Sequence, residues 1–189
     1  MKLVLASSSP RRQELLRNAG FEFDVRPGKI EEVPHGEERA EDFARRVARE
    51  KALNVAASSP PGSLVLGADT VVVVDDLILG KPTSPNDAAR MLRMLSGTSH
   101  RVVTGVCLVR APAQIEALTH ETTLVIFRNL DEEEIHDYVA SGEPLDKAGA
   151  YAIQGLASKF VVRIEGCYFN VVGLPIPLVY EMLKNVGLP

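Results

Sequence analysis

Apolar residues along the chain fall into two rhythms. Strongly apolar stretches such as "LVLGADTVVVV" and "HRVVTGVCLVR" are rich in valine, which predicts strands. The same reading applies to "LVLA" at residues 3–6 and "ALTHETTLVIFRNL" at 117–130, and a short strand is expected over 21–26. Residues 41–57 instead space their apolar points, Phe43, Val47 and Leu53, at helical intervals. Punctuation fixes the element ends. Ser9 can cap a first helix with Pro10 in its opening turn and Gly20 at its close. "SSPPGS" at 58–63 stops the second helix, and Asp75-Asp76 reads as a hairpin turn into "LILG". Ser84-Pro85 opens a third helix ending near Ser96-Gly97, and Asp131 with Glu134 forms a capping-box pair for a fourth, through about residue 139. "AYAIQ" and "KFVVRIEG" read as further strands, and 176–186 as a closing helix. Strands and helices intermingle, so the class is α/β, and the hairpins make the twisted sheet mixed, with helices flanking it.

Composition narrows this picture. With 189 residues the chain fits one domain, or one domain with two lobes, and 46% hydrophobic residues supply an ample core. The net charge of -4 and an aromatic content of 5% speak against a nucleic-acid binder, so any anion site must be a local group of cations. Cys107 and Cys167 lie in apolar, strand-like stretches and read as buried free thiols. The apolar run at 3–6 is too short for a signal peptide and is broken by residues 7–12. No stretch approaches a membrane span, and the expected location is the cytoplasm. The histidines at 35, 100, 120 and 136 show no metal-ligand spacing.

Chemistry is signalled where polar groups break local rules. Arg11 and Arg12 sit in the first turn of a helix, where the dipole is already positive. They are either solvated charge or, beside the hydroxyls and N–H groups of Ser7-Ser8-Ser9, an anion site. The spacing is not that of a Walker A loop. Asp69 interrupts a run apolar enough to be buried on both faces. It is either satisfied by backbone donors, at a bulge near Gly67, or a base or metal ligand at a strand edge. Lys51 follows Phe43 and Val47 at four-residue spacing, so it either points inward or snorkels. Its neighbours Arg45, Arg46 and Arg49 read as solvated charge. Lys81 occupies a turn fixed by Pro82, Glu31 and Glu32 lie in a polar connection, and Gln154 ends a short strand with an amide suited to a base edge.

The blocks "LASSSPRRQELL", "REKA", "GADTVV", "GKP", "SGTSHRVVTGV", "DKAGAYAIQG" and "NVVGLP" cover nearly the whole chain. In this combination and order the sequence resembles the Maf family of nucleoside triphosphate pyrophosphatases. The resemblance implies an α/β fold similar to inosine triphosphate pyrophosphatases, with two lobes around a central cleft. It implies hydrolysis of a nucleoside triphosphate to the monophosphate and pyrophosphate with a divalent metal, Mg2+ or Mn2+, and a possible homodimer. By motif, Asp69 would be the proton acceptor, and Ser7, Arg11, Arg12, Lys51 and Lys81 would meet phosphate. Glu32, with Asp69, would assist the metal. Arg11, Thr70 and Gln154 match positions tied to pyrimidine choice, and "AYAIQG" favours the dTTP/UTP subgroup, which also removes modified pyrimidine nucleotides. The alternatives are a 7-methyl-GTP pyrophosphatase and a nucleotide-binding regulator of cell division and septum formation.

Overall fold

The computed structural model describes residues 2–188. The chain forms β1 (Leu3–Leu5), α1 (Pro10–Asn18), β2 (Phe23–Val25), α2 (Ala40–Ala56), β3 (Leu64–Val74) and β4 (Leu77–Leu79). It continues through α3 (Pro85–Leu95), β5 (Ser99–Arg110), β6 (Gln114–Phe127), α4 (Glu132–Ala140), β7 (Val161–Glu165), α5 (Tyr168–Val172) and α6 (Ile176–Asn185). One sheet holds the strands in the order β2-β1-β3-β5-β6-β7, with β4 paired to β3. It is mixed: β1 runs parallel to β2 and β3, whereas β3–β4 and β6–β7 are antiparallel.

The predicted caps are present. Ser9 accepts from the Arg12 N–H, Ser84 accepts from the Asp87 N–H, and Asp131 and Glu134 complete a capping box. Asp75 and Asp76 both take positive φ (47° and 61°), the conformation a two-residue hairpin demands. "AYAIQ" departs from expectation. Residues 148–150 form a 3₁₀ turn, and the strand in "KFVVRIEG" begins only at Val161. Two glycines and a positive-φ Ala150 outweigh the local apolar pattern there. Cys107 is buried in β5, but Cys167 lies beyond β7 and is only half-buried. Among the described residues no helix is long and apolar enough to cross a membrane.

The chain divides into two compact units. The first comprises residues up to Thr70, 104–121 and from Gly173 onward; the second comprises 71–103 and 122–172. In the first, the chain passes from β1 through α1 to β2, then back through α2 to β3 on the other side of β1. Crossovers of one hand running in opposite directions place α1 and α2 on opposite faces of the strands. α2 packs through Ala48, Ala52 and Val55 against Val65 of β3 and Cys107 and Val109 of β5. The approach is close: a Cβ on Gly67 would lie 2.2 Å from the Ala48 carbonyl oxygen, and one on Gly105 2.1 Å from that of Ala44. The absence of a side chain at Gly67 therefore lets α2 pack closely on β3. In the second unit, α3, α4 and the end of β6 enclose a core that includes Leu92, Phe127, Ile135, Tyr151 and Phe160.

Candidate active site

β1 lies where the chain reverses its direction across the first unit, and its carboxyl end is the switch point at which open α/β sheets hold ligands. β3 runs on past that end and carries Asp69 and Thr70 there. Strand alternation turns these neighbours to opposite faces. Asp69 shares the face of Val65 and Gly67, toward α2; Thr70 takes the face toward α1.

On the α2 side, Lys51 is buried on the helix face that also carries Phe43 and Val47, the inward one of the two readings its spacing leaves open. Its Nζ donates to Asp69 Oδ1 at 2.7 Å and pairs with Glu32 Oε1 at 2.8 Å. Glu32 is half-exposed and arrives on the connection between β2 and α2. Arg46 ties that connection down with bonds to Glu38 (2.9 and 2.8 Å) and to the Val33 carbonyl (2.9 Å). Arg46 is thus an anchor, not the solvated charge its sequence neighbourhood predicts. Burial pushes the Asp69 carboxyl above the usual range, against the pull of Lys51 and Arg12.

On the α1 side, Arg12 is buried. Nε donates to the Gly173 carbonyl at 2.8 Å, Nη2 to Thr70 Oγ1 at 2.9 Å and Nη1 to Ser7 Oγ at 3.3 Å. These bonds use three of five N–H groups, and the other two, one on each terminal nitrogen, remain for a ligand. Burial lowers the Arg12 pKa, opposed by the charges of Asp69 and Glu32; the charge of Arg11 lowers it further. Arg11 is half-buried, and α1 has no acidic residue in its first turn. Ser7 Oγ accepts from Arg12 and from the Ser9 N–H (3.2 Å), so its own hydrogen points elsewhere. Cations, a hydroxyl and a helix N-terminus converge on one place, beside a carboxylate with a raised pKa. Such a place suits an oxyanion-rich substrate and a proton acceptor.

A family model described as "Maf-like protein" matches residues 2–186. The chain belongs to this family. A protein from Koribacter versatilis (strain Ellin345) named dTTP/UTP pyrophosphatase is 52% identical over 188 residues, covering 100% of this chain and 96% of that protein. One from Moorella thermoacetica with the same name is 51% identical, covering 99% and 96%. Among solved structures, a HAM1 protein from Coxiella burnetii shares the fold with a TM-score of 0.51 at 16% identity, over 98% of this chain and 99% of that one.

Of the positions the Maf resemblance singles out, Ser7, Arg11, Arg12, Glu32, Lys51, Asp69 and Thr70 all belong to the first unit. Lys51 gathers Asp69 and Glu32, and Arg12 gathers Ser7 and Thr70. Lys81 and Gln154 belong to the second unit, each exposed in a turn. Two partners escape sequence reasoning. The Gly173 carbonyl carries no side-chain signal beyond the motif "NVVGLP", and at φ 129° the position requires glycine. Thr104, fully buried, lies 2.9 Å from Thr70 through their hydroxyls. Its signal was available: a polar residue inside "RVVTGVCLV", the same kind of break that marks Asp69. The described residues hold no group of three or more His, Cys, Asp or Glu side chains arranged for a metal. Asp69 and Glu32 are two carboxylates held on one ammonium, a donor set that fits magnesium only if substrate oxygens and water supply the remaining ligands.

Proposed function

We propose that the chain is a nucleoside triphosphate pyrophosphatase that hydrolyses dTTP and UTP to the nucleoside monophosphate and pyrophosphate. The observation that carries this reading is Asp69, a buried carboxylate with a raised pKa that accepts from the Lys51 ammonium at 2.7 Å and feels the charge of the Arg12 guanidinium. The names of relatives sharing about half of their residues with this chain support the choice of nucleotide.

In this reading the triphosphate lies against Ser7, Arg11, Arg12 and Lys51. Asp69 accepts a proton from a water aligned with the α-phosphorus. The new P–O bond forms as the bond to the bridging oxygen of the β-phosphate breaks, and pyrophosphate leaves with that electron pair. Arg12 and Arg11 face the charge that gathers on the α-phosphate oxygens. Asp69 and Glu32 would hold the divalent metal, which when bound neutralises charge on the leaving pyrophosphate. Lys81 as a further phosphate cation, and Gln154 as the amide that meets the pyrimidine edge, rest on the Maf resemblance.

Incubation with dTTP and magnesium, with product analysis, tests the reading. The expected products are dTMP and pyrophosphate, with UTP turned over more efficiently than CTP or 7-methyl-GTP. Orthophosphate as the first product would overturn it.

A further inference from the structure

Thr104 is buried, polar and unused by the chemistry above. Its relation to Thr70 has a direction that the other partners of Thr70 decide. Arg12 Nη2 can only donate, and it lies 2.9 Å from Thr70 Oγ1. The Gly173 carbonyl can only accept, and it lies 3.3 Å from the same atom. A hydroxyl has one hydrogen and two lone pairs. The hydrogen goes to Gly173 and one lone pair receives Arg12, so the second lone pair takes the hydrogen of Thr104, 2.9 Å away. The Thr70 hydroxyl is then saturated within the protein, and its influence on the substrate must pass through Arg12.

We propose that Thr104 is a positioning residue: by filling the last lone pair of Thr70, it fixes the hydroxyl that sets the plane of the Arg12 guanidinium. Three bonds hold that plane: the short ones from Nε to Gly173 and from Nη2 to Thr70, whose acceptors meet each other, and a longer one from Nη1 to Ser7 at 3.3 Å. The two remaining N–H directions of Arg12 follow from it. Without Thr104 the Thr70 hydroxyl gains an open lone pair and rotational freedom, and one of the two short bonds that orient the guanidinium loosens. A cation oriented before the substrate arrives needs no reorganisation in the transition state. The proposal rests on the reading of Arg12 as a phosphate ligand.

The test compares Thr104→Val, which keeps shape and removes the hydroxyl, with Thr104→Ser, which restores it. One readout needs no activity: the exchange rate of the Arg12 Nε–H, followed by ¹⁵N NMR. It should rise at least about tenfold in Thr104→Val and return toward the wild-type rate in Thr104→Ser, as expected when a buried bond loosens. The second readout is pyrophosphate release from dTTP. Here kcat/KM should fall about tenfold in Thr104→Val, in protein that remains folded at the assay temperature, and recover in Thr104→Ser. In an Arg12→Lys background the Thr104→Val change should have little further effect, because the two act through one group. Unchanged exchange in Thr104→Val, or full additivity with Arg12→Lys, would overturn the proposal. Should Thr104→Val fail to fold, Thr104→Ala reads the same quantities. If wild-type protein releases no pyrophosphate from dTTP, the functional reading fails, and the exchange measurement still decides the role of Thr104.

Discussion

Asp69 unites a structural liability with a chemical use. The residue is 5% exposed, and burial raises its pKa even though Lys51 donates to it at 2.7 Å. A folded-state pKa above the unfolded one means that this group's contribution to stability is present below the unfolded pKa and is lost as pH rises through the folded one. Ionised Asp69 therefore adds no stability at neutral pH. Asp69→Asn should keep Tm, because Lys51 retains Glu32 as a counter-charge, while kcat drops by about a hundredfold or more, the scale of lost general-base catalysis. A proton acceptor works only when deprotonated. The acidic limb of kcat/KM in the wild type should accordingly lie above the ordinary aspartate value of about 3.9. Near-wild-type turnover by folded Asp69→Asn would return this residue to a purely structural role. Asp69, Lys51 and Arg12 were legible because each breaks a local rule: a charge in an apolar run, a lysine on an apolar helix row, and a cation at a positive helix end. Gly173 was not, because a backbone carbonyl has no sequence signature.

At the level of elements, the caps and apolar periods named most of the helices and strands, since those signals act within a few residues. The segment 148–155 escaped because glycine and positive-φ geometry there override an apolar alternation. The connection between β2 and α2 escaped as well. It looks like solvated charge in the sequence, and only the fold brings Arg46 of α2 to Glu38 and the Val33 carbonyl, with the Lys29 N–H on Asn54 of the same helix. Glu38 is held below the usual carboxylate range, first by its hydrogen bond to Arg46. This anchoring has a consequence for Glu32, which rides on the same connection and reaches Lys51 at 2.8 Å. Arg46→Ala should leave the helix and the core intact but free the connection. Limited proteolysis should then cut between residues 27 and 38 at least about tenfold faster, and kcat/KM should fall severalfold. Equal cleavage rates in both proteins would show that the connection holds its place without Arg46.

For the whole molecule, the overall charge of -4 conceals a cationic site built from Arg11, Arg12 and Lys51, so net charge predicted no general polyanion binding while local placement predicted an anion site. A titration elsewhere sets how the fold as a whole answers to acid. In the second unit, His100 is buried between Phe127 and Tyr151, with ring centroids 4.9 and 5.4 Å away. Its Nε2 meets the Tyr151 hydroxyl at 2.8 Å, whereas Nδ1 is buried with no hydrogen-bond partner. A protonated ring would need an acceptor at both nitrogens, and burial pushes the His100 pKa down to about 4. The unfolded chain takes up that proton near pH 6.5 and the folded one only near pH 4, so acid favours unfolding across this window. Each pH unit within it costs about 1.4 kcal/mol from this residue alone. Above pH 6.5 the histidine contributes no pH dependence, and below pH 4 its effect is complete. His100→Gln removes the titration and keeps a polar group for Tyr151. Urea unfolding of both proteins at pH 8 and pH 5 should show the wild type losing about 2 kcal/mol more than the variant between the two conditions. Carboxylate titrations common to both proteins cancel in that comparison, and so does any constant destabilisation by the glutamine. Parallel losses in the two proteins would mean that His100 takes up its proton in the folded state as readily as in the unfolded chain.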